Sequence, residues 1–125
     1  MILVVDSSAL LALVKDEPGA KAVADALPSA VTSAVIFAEC VSKAANQGYD
    51  PDRIAEQLRS DGLAIHPVSA ASLSSVIKLH RLATQNVSLA DRFCLALAMD
   101  LGAPILTADR PWRNLGLPVE LRYIR

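Results

Sequence analysis

Ile2-Leu3-Val4-Val5-Asp6-Ser7-Ser8 is the stretch that decides the fold. Four consecutive apolar residues, three of them β-branched, show no polar alternation. That is the signature of a parallel strand covered on both faces. An acid comes next, then two serines, then the apolar helical stretch Ala9–Val14. A strand, an acid and a helix in that order form the first half of a βαβ unit, and the remainder of the chain repeats the pattern.

Glu17-Pro18-Gly19 breaks the first helix, and Ala20–Leu27 reads as a second, short one ended by Pro28. Ala30–Thr32 is a short strand. Ser33 is a good N-cap for a helix to about Gln47, where Gly48 suits the C-terminus. Asp50-Pro51 opens another helix to about Ser60, with proline in the first helical position. Leu63–Val68 reads as a strand in which Pro67 removes a ladder donor and marks an end or an edge. Ala70–Thr84 is a longer helix, Ser88–Leu101 another closed by Gly102, and Ala103–Thr107 and Pro118–Ile124 are the last strands. Strands alternating with helices predict an α/β fold: a parallel sheet with helices on both faces. No repeat, low-complexity tract or linker interrupts it, so residues 1–125 read as one domain.

Composition sets the bounds. The chain has 125 residues, 53% hydrophobic and 20% charged, which excludes a disordered tail. Cys40 and Cys94 form no CxxC, lie in apolar helical stretches and read as small core residues of a reducing compartment. No apolar run approaches the ~18 residues of a membrane span, and the start lacks the basic region of a signal peptide. A cytoplasmic protein with no membrane association is expected. Net charge is −1, but it is unevenly spread: residues 1–62 carry nine acids and five bases, residues 63–125 four acids and seven bases. An anionic partner is expected to meet mainly the C-terminal half.

In open α/β sheets ligands bind beyond the carboxyl ends of the strands. Asp6 stands there after the first strand, and Asp109 stands after Ala103–Thr107 with only Ala108 between. Asp91 lies three residues into the helix that begins at Ser88, and Glu39 in the first half of the helix capped by Ser33. Each acid has a purely structural role open to it. Asp6 can cap the first helix and Asp109 the short turn Asp109-Arg110-Pro111. Ser88 and Asp91 match a capping box, and Glu39 can pair with Lys43 four residues on. As a set they are harder to assign to surface. Val35 and Ile36 lie one turn before Glu39, and Asp91 sits among Leu89, Phe93, Cys94 and Leu95. Converging carboxylates raise one another's pKa, and a divalent cation relieves this. Oxygen-only ligands suit Mg²⁺ or Mn²⁺. The two histidines and two cysteines show no zinc spacing. The natural chemistry of such a group is metal-assisted hydrolysis of a phosphodiester.

The sequence resembles the PIN-domain family, and within it the VapC-type ribonuclease toxins of toxin–antitoxin pairs. The resemblance spans the chain and rests on four segments in order: Ile2 to Leu10, Thr32-Ser-Ala-Val-Ile-Phe-Ala-Glu39, Leu89-Ala90-Asp91, and Ile105-Leu106-Thr107-Ala108-Asp109. It implies a Rossmann-like sheet with Asp6, Glu39, Asp91 and Asp109 at its carboxyl edge, acting as catalytic residues and metal ligands. Asp6 and Asp91 match the positions most directly tied to metal. Ser7 and Thr107 match supporting hydroxyl positions. It further implies a Mg²⁺- or Mn²⁺-dependent endoribonuclease acting on RNA, a homodimer, and silencing by a small VapB-like antitoxin.

Arg110 and Arg113 flank Trp112 just after Asp109, and Arg92 adjoins Asp91. These four are candidate RNA contacts, since basic residues beside an aromatic can hold a phosphate backbone and stack a base. The alternatives are a solvated face and a tryptophan that closes the core. Lys78 and Arg81, three apart on one helix, pose the same choice. No GxSxG, GxGxxG or Walker pattern is present. The competing reading is a catalytically silent PIN-like module that binds RNA or protein. A phosphotransfer domain with Asp6 as acceptor is weaker, because Ser8 stands where a phosphatase of that kind wants its second acid.

Overall fold

The computed structural model describes residues 1–125. β1 (Leu3–Val5) leads into α1 (Ser7–Val14) and α2 (Ala20–Ala26), and a single 3-10 turn at Leu27–Ser29 delivers the chain to β2 (Ala30–Ser33). α3 (Ala34–Asn46) and α4 (Pro51–Ser60) precede β3 (Ala64–His66). α5 (Ala70–Lys78), a 3-10 segment (His80–Gln85) and α6 (Leu89–Leu101) precede β4 (Ile105–Thr107). A last 3-10 segment (Arg110–Asn114) leads to β5 (Leu121–Tyr123).

All five strands are parallel, in the order β3-β2-β1-β4-β5. The chain moves outward from β1 through β2 to β3, then returns to lay β4 on the other side of β1. Right-handed crossovers put the helices of the outward run and those of the return run on opposite faces. Val4, Val5, Ile105 and Leu106 form the buried centre of the sheet, with Leu10, Ile36, Leu95 and Leu97 packed over it. The reversal of direction falls between β1 and β4, the crevice where ligands bind in sheets of this kind.

The predicted caps form. The Ser33, Asp50 and Ser88 side chains each accept a backbone N–H of the helix they begin, and Gly102 ends α6 in the left-handed region at φ 61°. Cys40 and Cys94 are free and buried. The helix predicted over Ala70–Thr84 is the one element that differs in kind. It stops at Lys78 and continues as a 3-10 segment. The cause lies in the spacing of its buried residues. Val76, Leu79 and Leu82 are three apart and all in the core, a row that a 3-10 segment holds in line and that an α-helix lets drift by about 60° per step. No helix is long and apolar enough to cross a membrane.

Candidate active site

Asp6 is where the site begins. β1 ends at Val5, and the Asp6 carboxylate caps α1 by accepting the Ala9 N–H at 2.9 Å. Its own N–H donates to the Leu106 carbonyl of β4. The side chain is 2% exposed, yet no basic residue pairs with it. Hydroxyl groups take that place. Thr107 Oγ1 donates to Asp6 Oδ2 at 2.7 Å, and Ser8 Oγ donates to Oδ1 at 2.8 Å and to Oδ2 at 3.0 Å. Thr32, fully buried at the carboxyl end of β2, donates its hydroxyl to the Val5 carbonyl at 2.8 Å and fixes the strand end that carries Asp6. Burial pushes the Asp6 carboxyl up from its ordinary 3.8 to about 6. The Thr107, Ala9 and Ser8 hydrogen bonds oppose the rise, and the charge of Asp91 adds to it.

Asp91 occupies the first turn of α6, half-buried, with its N–H bonded to Ser88 Oγ at 3.0 Å. Its carboxyl is raised, first by burial and then by the charge of Glu39, while Ser88 and Lys43 pull it back. Asp109 lies just beyond β4, and its carboxyl is raised by burial and by Asp91. Asp91 is thus the acid whose field reaches both Asp6 and Asp109 and which itself feels Glu39. Glu39 sits on α3, which packs against α6. Its carboxylate lies 3.5 Å from Lys43 Nζ. The Cys94 thiol, buried beneath the group, is pushed well up by burial and by Asp6, Asp91 and Glu39 together.

The structure therefore brings all four predicted acids into one electrostatic neighbourhood. Their structural roles are partly real as well: Asp6 caps, and Glu39 pairs with Lys43. Asp109 makes no side-chain cap bond. Its carboxylate accepts no hydrogen bond or ion pair from the protein, and that of Asp91 meets Ser88 but is ion-paired with no base. Three of the four acids are without a cation. An all-oxygen, uncompensated set fits a hard divalent ion such as Mg²⁺ or Mn²⁺. No three acids are drawn together tightly enough to form a closed ligand cluster. That is compatible with Mg²⁺, which commonly takes one or two carboxylates and completes its sphere with water and phosphate.

The other predicted residues divide. Thr107 bonds Asp6 directly. Ser7 does not: its hydroxyl is buried and has no partner. Ser8 makes the bonds to Asp6 instead, because the second residue of α1 lies beside the carboxylate that caps the helix. Arg92 is half-buried and turns its Nε back to the Ser88 carbonyl at 3.3 Å. Arg110 lies over the Tyr123 ring at 5.0 Å and bonds the Arg125 carbonyl. Arg113 is exposed and unpaired. Trp112, open to either an RNA contact or a core role, takes the core place. At 5% exposure it belongs to the core. The sequence marked neither Ser8 nor Thr32 as part of the site, and the i, i+2 spacing of Asp6 and Ser8 was the one signal available.

A family model described as PIN domain matches residues 3–117. Among curated protein sequences, none matches the chain. Among solved structures, a toxin–antitoxin complex from Klebsiella pneumoniae is similar at TM-score 0.78 and 19% identity, over 98% of this chain and 98% of that one. A DNA-bound VapBC from Salmonella typhimurium is similar at TM-score 0.74 and 13% identity, over 100% and 99%. A sarcin–ricin-loop-cleaving VapC toxin of Mycobacterium tuberculosis is similar at TM-score 0.71 and 17% identity, over 96% and 98%. At these identities the structures show a shared fold. With the family model matching nearly the whole sequence, the chain belongs to the PIN-domain family.

Proposed function

We propose that this PIN domain is a metal-dependent endoribonuclease and the toxin half of a toxin–antitoxin pair. One observation carries the reading: Asp6, Asp91 and Asp109 are raised and ion-paired with no base near the sheet's switch point, with Glu39 coupled to Asp91. Uncompensated carboxylates at a ligand-binding edge are costly unless they hold a cation.

In this reading Asp6 and Asp91 hold Mg²⁺ or Mn²⁺, and Glu39 and Asp109 complete the acidic site. Held there, such an ion would supply an activated water and neutralise charge on the phosphodiester transition state. Thr107 keeps one Asp6 oxygen fixed by its 2.7 Å bond. Lys43 restrains Glu39. Arg113, exposed and four residues after Asp109, is a candidate contact for an RNA phosphate. The solved structures described as toxin–antitoxin complexes support a VapB-like antitoxin as partner. A homodimer is the working assembly of this reading.

The test is incubation of a mixed small-RNA pool with Mg²⁺, Mn²⁺ or EDTA, wild type beside Asp6→Asn. Products that need metal and vanish in the variant support the reading, and their ends identify the target. Well-folded wild type that neither cleaves nor binds Mn²⁺ favours a silent binding module, the second reading, to which the open arrangement of the acids lends some weight.

A further inference from the structure

Two hydroxyls stand between Asp6 and the loop that carries Asp109, and they are wired alike. Thr107 Oγ1 accepts the Asp109 N–H at 2.8 Å and donates to Asp6 Oδ2 at 2.7 Å. Ser8 Oγ accepts the Ala108 N–H at 2.9 Å and donates to both Asp6 oxygens at 2.8 and 3.0 Å. A hydroxyl has one proton. Both protons are directed at Asp6, so the 3.4 Å approach of Ser8 Oγ to Thr107 Oγ1 carries no hydrogen bond of its own. The result is two parallel chains, each running from a backbone N–H through a hydroxyl to the carboxylate. Each link polarises the next. Thr107 bonds the N–H of its own loop. Ser8 belongs to α1, and its bond to Ala108 spans 100 residues. It ties the body of α1 to the loop of Asp109, beside the tie that Thr107 makes through Asp6.

We propose that Ser8 is a positioning residue of the acidic site: its hydroxyl orients the Asp6 carboxylate and holds the Asp109 loop in register with it. The proposal rests on the metal-nuclease reading. Orienting partners behind a ligand commonly change metal affinity by ~10–100-fold when removed. Ser8→Ala deletes the donor to Asp6 and leaves the Ala108 N–H without its acceptor. Ser8→Thr keeps the hydroxyl.

The experiment is Mn²⁺ titration followed by the resonance of free Mn²⁺, on wild type, Ser8→Ala, Ser8→Thr and Asp6→Asn. Amide exchange at Ala108 is read on the same proteins in EDTA. The expected result is affinity roughly ten-fold weaker or worse in Ser8→Ala, near wild type in Ser8→Thr, and faster Ala108 exchange in Ser8→Ala alone of the two serine variants. Wild-type Mn²⁺ affinity in Ser8→Ala, with affinity lost in Asp6→Asn, overturns the role of Ser8 and leaves the metal reading standing. Ser8→Thr as weak as Ser8→Ala overturns it too, since the hydroxyl is then not what matters. A wild type that binds no Mn²⁺ removes the metal reading and this proposal with it.

Discussion

The Thr107 hydroxyl donates a 2.7 Å hydrogen bond to the Asp6 carboxylate across 101 residues of sequence. Both residues sit at the carboxyl ends of adjacent parallel strands, so the contact measures how closely β1 and β4 are registered. It also shows how a buried acid with no basic partner is kept in place: by neutral donors, which orient a charge without cancelling it.

Thr107→Val tests that arrangement while keeping the shape of the side chain. Asp6 loses a donor, and the Asp109 N–H loses its acceptor. Leaving such groups unsatisfied costs about 1–3 kcal/mol. Urea denaturation near neutral pH should show a loss of that size. The Asp6 carboxyl, no longer held down by this bond, should titrate above its wild-type value by carbon-detected NMR. An unchanged titration would mean that the hydroxyl does not act on Asp6.

The raised Asp6 carboxyl sets a pH dependence whose sign is opposite to that of an ordinary salt-bridged aspartate. Its folded value of about 6 lies above the ordinary 3.8, so the folded protein keeps a proton that the unfolded chain has lost. Its contribution is fully present below about pH 4 and is lost as the pH rises to 6. At ~1.4 kcal/mol per unit, the difference is of the order of 3 kcal/mol. In EDTA, the stability of Asp6→Asn relative to wild type should therefore grow from about pH 4 to about pH 6 and then level off. Whatever the amide costs in hydrogen bonds is independent of pH and drops out of the comparison. A gap that does not move with pH would contradict a raised Asp6.

Asp91→Asn removes the charge that Asp6 and Asp109 both feel. Its only protein partner is Ser88 in the same helix turn, which the amide oxygen of asparagine can still meet, so the change leaves no donor stranded. Metal-free Asp91→Asn should melt a few degrees above wild type, as a gain of ~1 kcal/mol implies for a chain of this size. It should also lose the upward shift that Mn²⁺ gives wild type. Scanning calorimetry with and without Mn²⁺ reads both. A variant that Mn²⁺ stabilises as much as wild type would place the ion elsewhere.

Trp112 is readable in two ways from sequence, as a base-stacking residue beside two arginines or as the side chain that closes the core. Its 5% exposure decides for the core. Trp112→Ala should cost about 3–5 kcal/mol, read as a lower denaturation midpoint. A variant as stable as wild type would contradict the packing described.

The alternation of elements was legible because buried parallel strands are short, apolar and β-branched, and because Asp6, Ser33, Asp50 and Ser88 each announce a helix. The places of the acids were legible for the same reason: Asp6 and Asp109 stand at strand ends. The features that escaped depend on packing across the sheet. The 3-10 segment at His80–Gln85 arises from Leu79 and Leu82 sharing one face, which a helical window does not separate from an α-helix. The choice between Ser7 and Ser8 depends on where the first turn of α1 points its side chains relative to β4, a strand a hundred residues away. Trp112 depends on the same closing of the C-terminal segment over the sheet.

The most direct test of the account is Mn²⁺ binding, measured by calorimetric titration, to wild type, Asp6→Asn, Asp91→Asn and the exposed control Asp25→Asn. The account predicts binding by wild type and Asp25→Asn alike, and affinity at least ~10-fold weaker in the other two, since each has lost a proposed ligand. Equal affinity in all four proteins would contradict it, because the acids gathered at the ends of β1 and β4 would then not be where the ion sits.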